Sequence, residues 1–152
     1  MDISPIADRL YIAARPQSKD AQELAGLGVR LILNMTPQRA PSGLRSAPLR
    51  TLWLPWLDTP LLPLPTGLLQ RGTAAAHRAL QAGEAVVAYC REGRHRSVAM
   101  ACAILIVQGM TAEVAMERVK RARPAADPHV PHVAAAIRHF EANWSHGRRP
   151  TF

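Results

Sequence analysis

The chain has 152 residues, 48% of them hydrophobic and 20% charged, which is too apolar for a disordered segment and enough chain for one core rather than two. Nineteen Lys and Arg, seventeen of them Arg, stand against eleven Asp and Glu, giving a formal charge of +8; the partner is expected to be an anion, with nucleic acid, membrane lipid and phosphorylated protein all in that class. Two cysteines, Cys90 and Cys102, are too few for a disulfide framework or a cysteine metal cluster and fit a reducing, cytoplasmic compartment.

Residues 1–15 contain acidic groups and no apolar stretch of signal-peptide length, and the longest apolar run, residues 98–107, is ten long against the ~20 a membrane span needs. Neither export nor insertion is expected. Residues 10–14 read as a short strand, residues 19–27 as a helix stopped by Gly26 and Gly28, and residues 30–35 (RLILNM) as a buried strand. Pro37, Pro41, Ser42, Gly43 and Pro48 mark a loop before another strand at 49–54. Four prolines hold residues 55–65 in an extended or turning loop. A helix over 66–81 ends near Gly83, and residues 85–89 (AVVAY) form a strand running into Cys90.

Beyond that point, residues 97–108 are apolar nearly throughout and predict a central buried helix, ended by Gly109. Thr111 caps a helix to about residue 121, and residues 128–144 form the last one. Residues 1–145 make a single domain, with 146–152 a loose basic tail. Strands alternating with helices predict an α/β fold whose central, mainly parallel sheet carries helices on both faces.

The chemistry concentrates in Cys90-Arg91-Glu92-Gly93-Arg94-His95-Arg96-Ser97: Cys, five residues, Arg, then a hydroxyl residue. A loop between a strand and a helix can aim several backbone N–H groups and a helix N-terminus at one anion. Cysteine is a nucleophile at neutral pH only as thiolate, and inward amides, the helix dipole and nearby Arg all favour that form of Cys90. Arg96 offers a planar fork for two phosphoryl oxygens. Ser97 can donate a hydrogen bond to the thiolate, and Gly93 permits a backbone conformation closed to other residues.

On these residues the sequence resembles the cysteine-dependent protein phosphatases, specifically the small dual-specificity group, whose signature is a Cys-x5-Arg-Ser/Thr loop between strand and helix. The resemblance implies a protein-tyrosine-phosphatase-like fold and hydrolysis of a phosphate monoester through a phosphocysteine on Cys90. That family carries a general acid Asp on a loop about thirty residues upstream. Here Trp56-Leu57-Asp58 is similar to its Trp-Pro-Asp loop, Asp58 lies 32 residues before Cys90 (90 − 58), and it is the one carboxylate between Glu23 and Glu84. The resemblance implies no cofactor and no metal. Two departures bear on activity: Tyr89 replaces the family's His before the Cys, and Glu92 stands where a small residue is common. An outward Glu92 paired with Arg91 or Arg94 avoids an unpaired negative charge in an anion site. A catalytically silent phosphate-binding module is the non-enzyme alternative these departures leave open.

The remaining residues are read more plainly. Asp127 is a rival acid, but its place before a helix makes it a cap. Cys102 is a core residue, too far along the next helix to resolve Cys90. His129 and His132 share a helix face without a third ligand clearly placed. His95 lines the loop rim, and Trp53, Trp56 and Trp144 are core or loop anchors. The other Arg residues, Arg123 among them, are scattered, which opposes a nucleic-acid stripe. Arg91, Arg94 and Arg96 put three guanidinium groups in one loop, and the resemblance extends to phosphatases of inositol phospholipids and phosphatidylglycerophosphate. The expected partner is therefore a phosphorylated protein or a phospholipid, approached by a monomer that can touch an anionic membrane peripherally.

Overall fold

All five residues of the strand Ala85–Tyr89 are buried, and the sheet is built outward from it. A computed structural model of the chain describes residues 1–62 and 66–145; the predicted basic tail lies outside them, as do residues 63–65 of the proline-rich loop. Five strands, β1 (Ile3–Ala7), β2 (Leu10–Ala13), β3 (Val29–Asn34), β4 (Arg50–Trp53) and β5 (Ala85–Tyr89), lie in the order β1-β2-β5-β3-β4. β5 runs parallel to both neighbours, β2 and β3, and β3 parallel to β4. The sequence reading missed β1, which pairs antiparallel with β2 and makes the sheet mixed. Pro5 obscures it, because proline removes a ladder donor and is accepted only where a strand lies at the sheet edge, as this one does.

Side chains alternate across β5 with the period of two expected of a strand. Val86, Ala88 and Cys90 face the larger apolar cluster, shared with helices α2 (Thr66–Gln81), α3 (Arg96–Val107), α4 (Ala112–Ala122) and α5 (Pro131–Ser145). Ala85, Val87 and Tyr89 face a smaller cluster covered by α1 (Ala21–Gly26) and a 3-10 turn at Ser42–Arg45. Eleven of the twelve α3 residues, Arg96 to Ile106, are buried, so this helix is wrapped on every side, as its nearly continuous apolarity predicts. Thr111 caps α4 by accepting a hydrogen bond from the Val114 N–H at 3.2 Å.

Two helix boundaries differ from expectation. The first helix opens with a 3-10 turn at Ser18–Asp20 before α1. The last begins at Pro131 rather than 128: residues 128–130 form a turn, and Pro131 disfavours a helical conformation at the residue before it while itself suiting the first helical position. Among the described residues no helix is long and apolar enough to cross a membrane.

The parallel strands fix where chemistry can occur. β2, β3, β4 and β5 all end on one edge, so the loops that follow them, at 14, 35, 54 and 90, converge there, the crevice where open α/β sheets place ligands.

Candidate active site

Between Cys90 and Arg96 the chain makes a loop whose carbonyls are tied outward one after another. Arg91 O accepts from the Arg15 N–H at 3.2 Å, Glu92 O from Arg123 Nη2 at 3.0 Å, Gly93 O from Arg123 Nε at 2.8 Å and Arg94 O from the Asp127 N–H at 2.9 Å. In a planar trans peptide the next residue's N–H points opposite to the carbonyl. The amides of Glu92, Gly93, Arg94 and His95 are thereby turned to the inside of the loop, forming an anion nest. They face a cavity of about 250 Å³ lined by Asp58, Cys90, Arg91, Glu92, Arg94, His95 and Arg96. Gly93 has φ +68°, and a Cβ there would come 2.7 Å from Arg123 Nη2 and 3.0 Å from Ala13 O, so the sequence expectation for this glycine is met by conformation and by space.

The Cys90 Sγ lies 3.2 Å from Ser97 Oγ and is buried. Burial by itself pushes the thiol's pKa up; the Ser97 hydroxyl, the backbone N–H groups of Ser97 and His95 and the Arg96 charge outweigh it and hold the pKa below that of an ordinary thiol. Those amides lie at the N-cap and in the first turn of α3, so the positive end of the helix dipole acts in the same direction. Cys102, within α3, has no such partners, and burial alone raises its pKa strongly.

Arg96 is 7% exposed. Its Nη1 donates to Trp56 O at 2.9 Å and Met35 O at 3.3 Å, which pins the guanidinium between the loops after β3 and β4. Its Nε is buried with no partner among the described residues. An orphan donor of this kind costs on the order of 1–3 kcal/mol unless a ligand oxygen satisfies it.

Asp58 reaches the same cavity from the loop after β4, anchored by the buried Trp56. His95 Nδ1 meets its Oδ2 and His132 Nε2 its Oδ1, each at 2.7 Å. A carboxylate can only accept, so both imidazole nitrogens carry the proton in this arrangement. Burial pushes the Asp58 pKa up, but the hydrogen bonds from His132 and His95, with the charges of His95 and Arg96, hold it below the usual carboxylate value. His95 thus lines the cavity, as expected, and also holds the candidate acid Asp58. His132 is recruited from α5, 74 residues away in sequence, which no spacing rule could find.

Other expected residues are redistributed. Glu92 points outward, 3.8 Å from Arg94, as charge pairing predicts. Asp127 does not cap a helix: its carboxylate accepts from Arg94 Nη2 at 2.9 Å and its N–H docks the loop. Arg94 is therefore partly neutralised, whereas Arg91, also exposed, has no ion pair among the described residues. Tyr89, on the opposite sheet face from Cys90, is buried in the smaller cluster, and burial lifts its pKa to about 12. Trp53 donates to Thr36 O at 2.9 Å and Trp144 stacks on Phe140, in keeping with anchoring roles.

Arg123 is the residue the sequence reading undervalued. It is 2% exposed, and besides the two loop carbonyls it binds Asp2 at 2.8 and 2.9 Å and Ser4 Oγ at 3.0 Å. Its hydrogen bonds hold the Asp2 carboxyl below its ordinary pKa. One side chain thereby ties the anion loop to the edge strand. Arg123→Met is expected to lower urea stability by about 2–3 kcal/mol, from lost charge-assisted hydrogen bonds discounted for the exposure of Asp2, and to weaken vanadate binding. A folded variant with unchanged vanadate affinity would contradict this role.

With this geometry in view, the family comparison is decisive. Residues 10–142 match the dual specificity phosphatase catalytic domain. The chain belongs to the dual-specificity phosphatase family. Dual specificity phosphatase 28 of Homo sapiens is 33% identical to this dual-specificity phosphatase over 125 residues, covering 82% of this chain and 69% of that protein. The crystal structure of human DUSP28 superposes with a TM-score of 0.85 at 27% identity, covering 95% of this chain and 96% of the other. The crystal structure of PTPMT1 in complex with PI(5)P gives a TM-score of 0.85 at 20% identity, over 96% and 98% of the two chains, and shares the fold.

Proposed function

We propose that this dual-specificity phosphatase hydrolyses phosphate monoesters on protein tyrosine, serine or threonine through a phosphocysteine at Cys90. The observation that carries the reading is the buried, unpartnered Nε of Arg96 beside a thiol whose ionised form is favoured: a cation edge and a nucleophile facing one anion cavity. The Arg96 edge and the inward amides bind the phosphoryl oxygens, and these interactions strengthen as charge builds on them. Cys90 thiolate attacks phosphorus, the bond to the ester oxygen breaks, and Asp58 passes its proton to that oxygen as the alcohol leaves. Water then attacks the phosphocysteine, Asp58 takes the water's proton, and the departing thiolate receives a hydrogen bond from Ser97.

A second reading rests on a separate observation. A cavity of about 390 Å³ adjoins the first, sharing Asp58, Arg91 and Arg96 with it and adding Arg15 and Leu57. Leu57, which lines it, is exposed, as are Leu61 and Leu62 further along the same loop. With Arg94 engaged by Asp127, Arg15 and Arg91 supply the charge for a second anionic group, as on a phosphoinositide headgroup. The test is one panel: singly and doubly phosphorylated peptides, phosphoinositide vesicles and phosphatidylglycerophosphate, each with wild type and the Arg15→Ala, Arg91→Ala double variant. Measurable turnover of a singly phosphorylated peptide is expected. If the second cavity reads a second anion, the double variant loses more than ~10-fold in kcat/KM on doubly charged substrates, the worth of one or two charge-assisted hydrogen bonds, and little on singly charged ones. Equal losses on both would remove the second reading.

A further inference from the structure

Asp58, His95 and His132 come from three separate segments, yet each offers one ligand atom and these atoms lie within 4.8 Å of one another. We infer that they form a binding site for a transition-metal dication of the zinc class, and that occupancy switches the phosphatase off by capturing its acid. Two imidazoles and a carboxylate are borderline donors suited to Zn²⁺ and Co²⁺ rather than to Mg²⁺ or Ca²⁺. Around a tetrahedral ion with bonds of ~2.0–2.1 Å, ligand atoms stand about 3.3 Å apart. The 2.7 Å contacts of Asp58 with each histidine must therefore open by about half an ångström.

The arrangement already converges the three donor groups on one point. Both histidines turn toward a single carboxylate, one on each oxygen, and their rings meet edge to face at 5.9 Å, so the two imidazoles converge without stacking. Metal displaces a proton from His95 Nδ1 and from His132 Nε2; each moves to the ring's other nitrogen or is released to solvent. For His95 that other nitrogen, Nε2, lies 4.0 Å from Asp127 Oδ2, where a carboxylate can support a ligating imidazole. Asp58 and His95 line the anion cavity, leaving the fourth metal position to water. His129, the sequence-level companion of His132, takes no part.

The inhibitory half of the inference rests on Asp58 being the general acid; the binding half does not. The experiment accordingly uses two readouts. Cys90→Ser protein, freed of the thiolate that could bind metal itself, is titrated with Co²⁺ and followed by its visible absorption, then displaced with Zn²⁺. One ion per chain with bands of a four- or five-coordinate site is expected. His132→Asn in the same background should weaken binding by more than the ~10–100-fold that loss of a group merely supporting a ligand costs, with thermal melts reporting that the variant is folded. Unchanged Co²⁺ affinity in folded His132→Asn protein, or binding that vanishes with Cys90→Ser, overturns the site. In parallel, aryl phosphate turnover by wild type should be inhibited by Zn²⁺ and restored by chelator. Turnover in chelator with no metal binding would refute the metal site while leaving the proposed hydrolysis standing; metal binding without any turnover would do the reverse.

Discussion

Replacing Cys90 by serine is expected to lower turnover of an aryl phosphate by ~10⁴-fold or more. The reason is specific to the site. Two backbone amides, the Ser97 hydroxyl and Arg96 all favour a negative sulfur at position 90, and a serine hydroxyl stays neutral in the same surroundings because its ordinary pKa is far higher. Affinity for vanadate or a phosphopeptide should change much less, since the inward amides and the Arg96 edge that hold the phosphoryl group are untouched. Steady-state rates and equilibrium binding on the same preparation check both halves. A serine variant with near wild-type turnover would mean that another group attacks phosphorus.

Asp58→Asn is the second large effect. Asparagine keeps the shape of the side chain but cannot deliver a proton, so hydrolysis should slow by ~10²–10⁴-fold. The loss depends on the leaving group. A nitrophenolate departs without help and should show the small end of the range; an alkoxide from phosphoserine or phosphothreonine needs the proton and should show the large end. The pH profile gives a further check. Wild-type kcat/KM should rise as Cys90 ionises, below the pH at which a free thiol would, and fall as the acid loses its proton. Because the Asp58 carboxyl is held below its usual pKa, that fall begins early and the optimum lies on the acid side of neutral. In Asp58→Asn, assayed in chelator, the descending limb should vanish. A full-sized descending limb in this variant would assign the proton to another group.

The parts of the site that were legible in the sequence are those whose geometry is local. Cys90, Gly93, Arg96 and Ser97 are held by one loop and one helix turn, so their spacing carries their arrangement. Asp58 was legible through the resemblance, which places an acid on a loop about thirty residues before the cysteine, where Asp58 is the sole carboxylate in a sixty-residue stretch. The same holds for the fold, where the apolar run of α3 announced its burial on every side and β1, interrupted by Pro5, did not announce itself at all.

What could not be read depends on tertiary juxtaposition. Arg123 is one of seventeen arginines, and nothing near it in sequence distinguishes it from Arg118 or Arg121; its importance lies in reaching the carbonyls of Glu92 and Gly93 across the fold. His132 reads as a helix-face histidine until α5 brings it to Asp58. Asp127 reads as a cap because it precedes a helix, yet the helix begins four residues later and the carboxylate pairs with Arg94 instead. That pairing also engages one of the loop's cations, leaving Arg91 as the exposed loop arginine without an ion pair among the described residues.

The central claim is that phosphate passes through sulfur at position 90, and trapping the intermediate tests it most directly. Asp58→Asn protein, in which water attack on the intermediate is slowed, is mixed with an aryl phosphate, quenched in acid within the first turnovers and mapped by peptide mass spectrometry. The account predicts a phosphate adduct on Cys90 that appears with the burst of phenol and is absent from Cys90→Ser protein. Phenol release with no adduct, or an adduct carried by Ser97 or any residue other than Cys90, would contradict it.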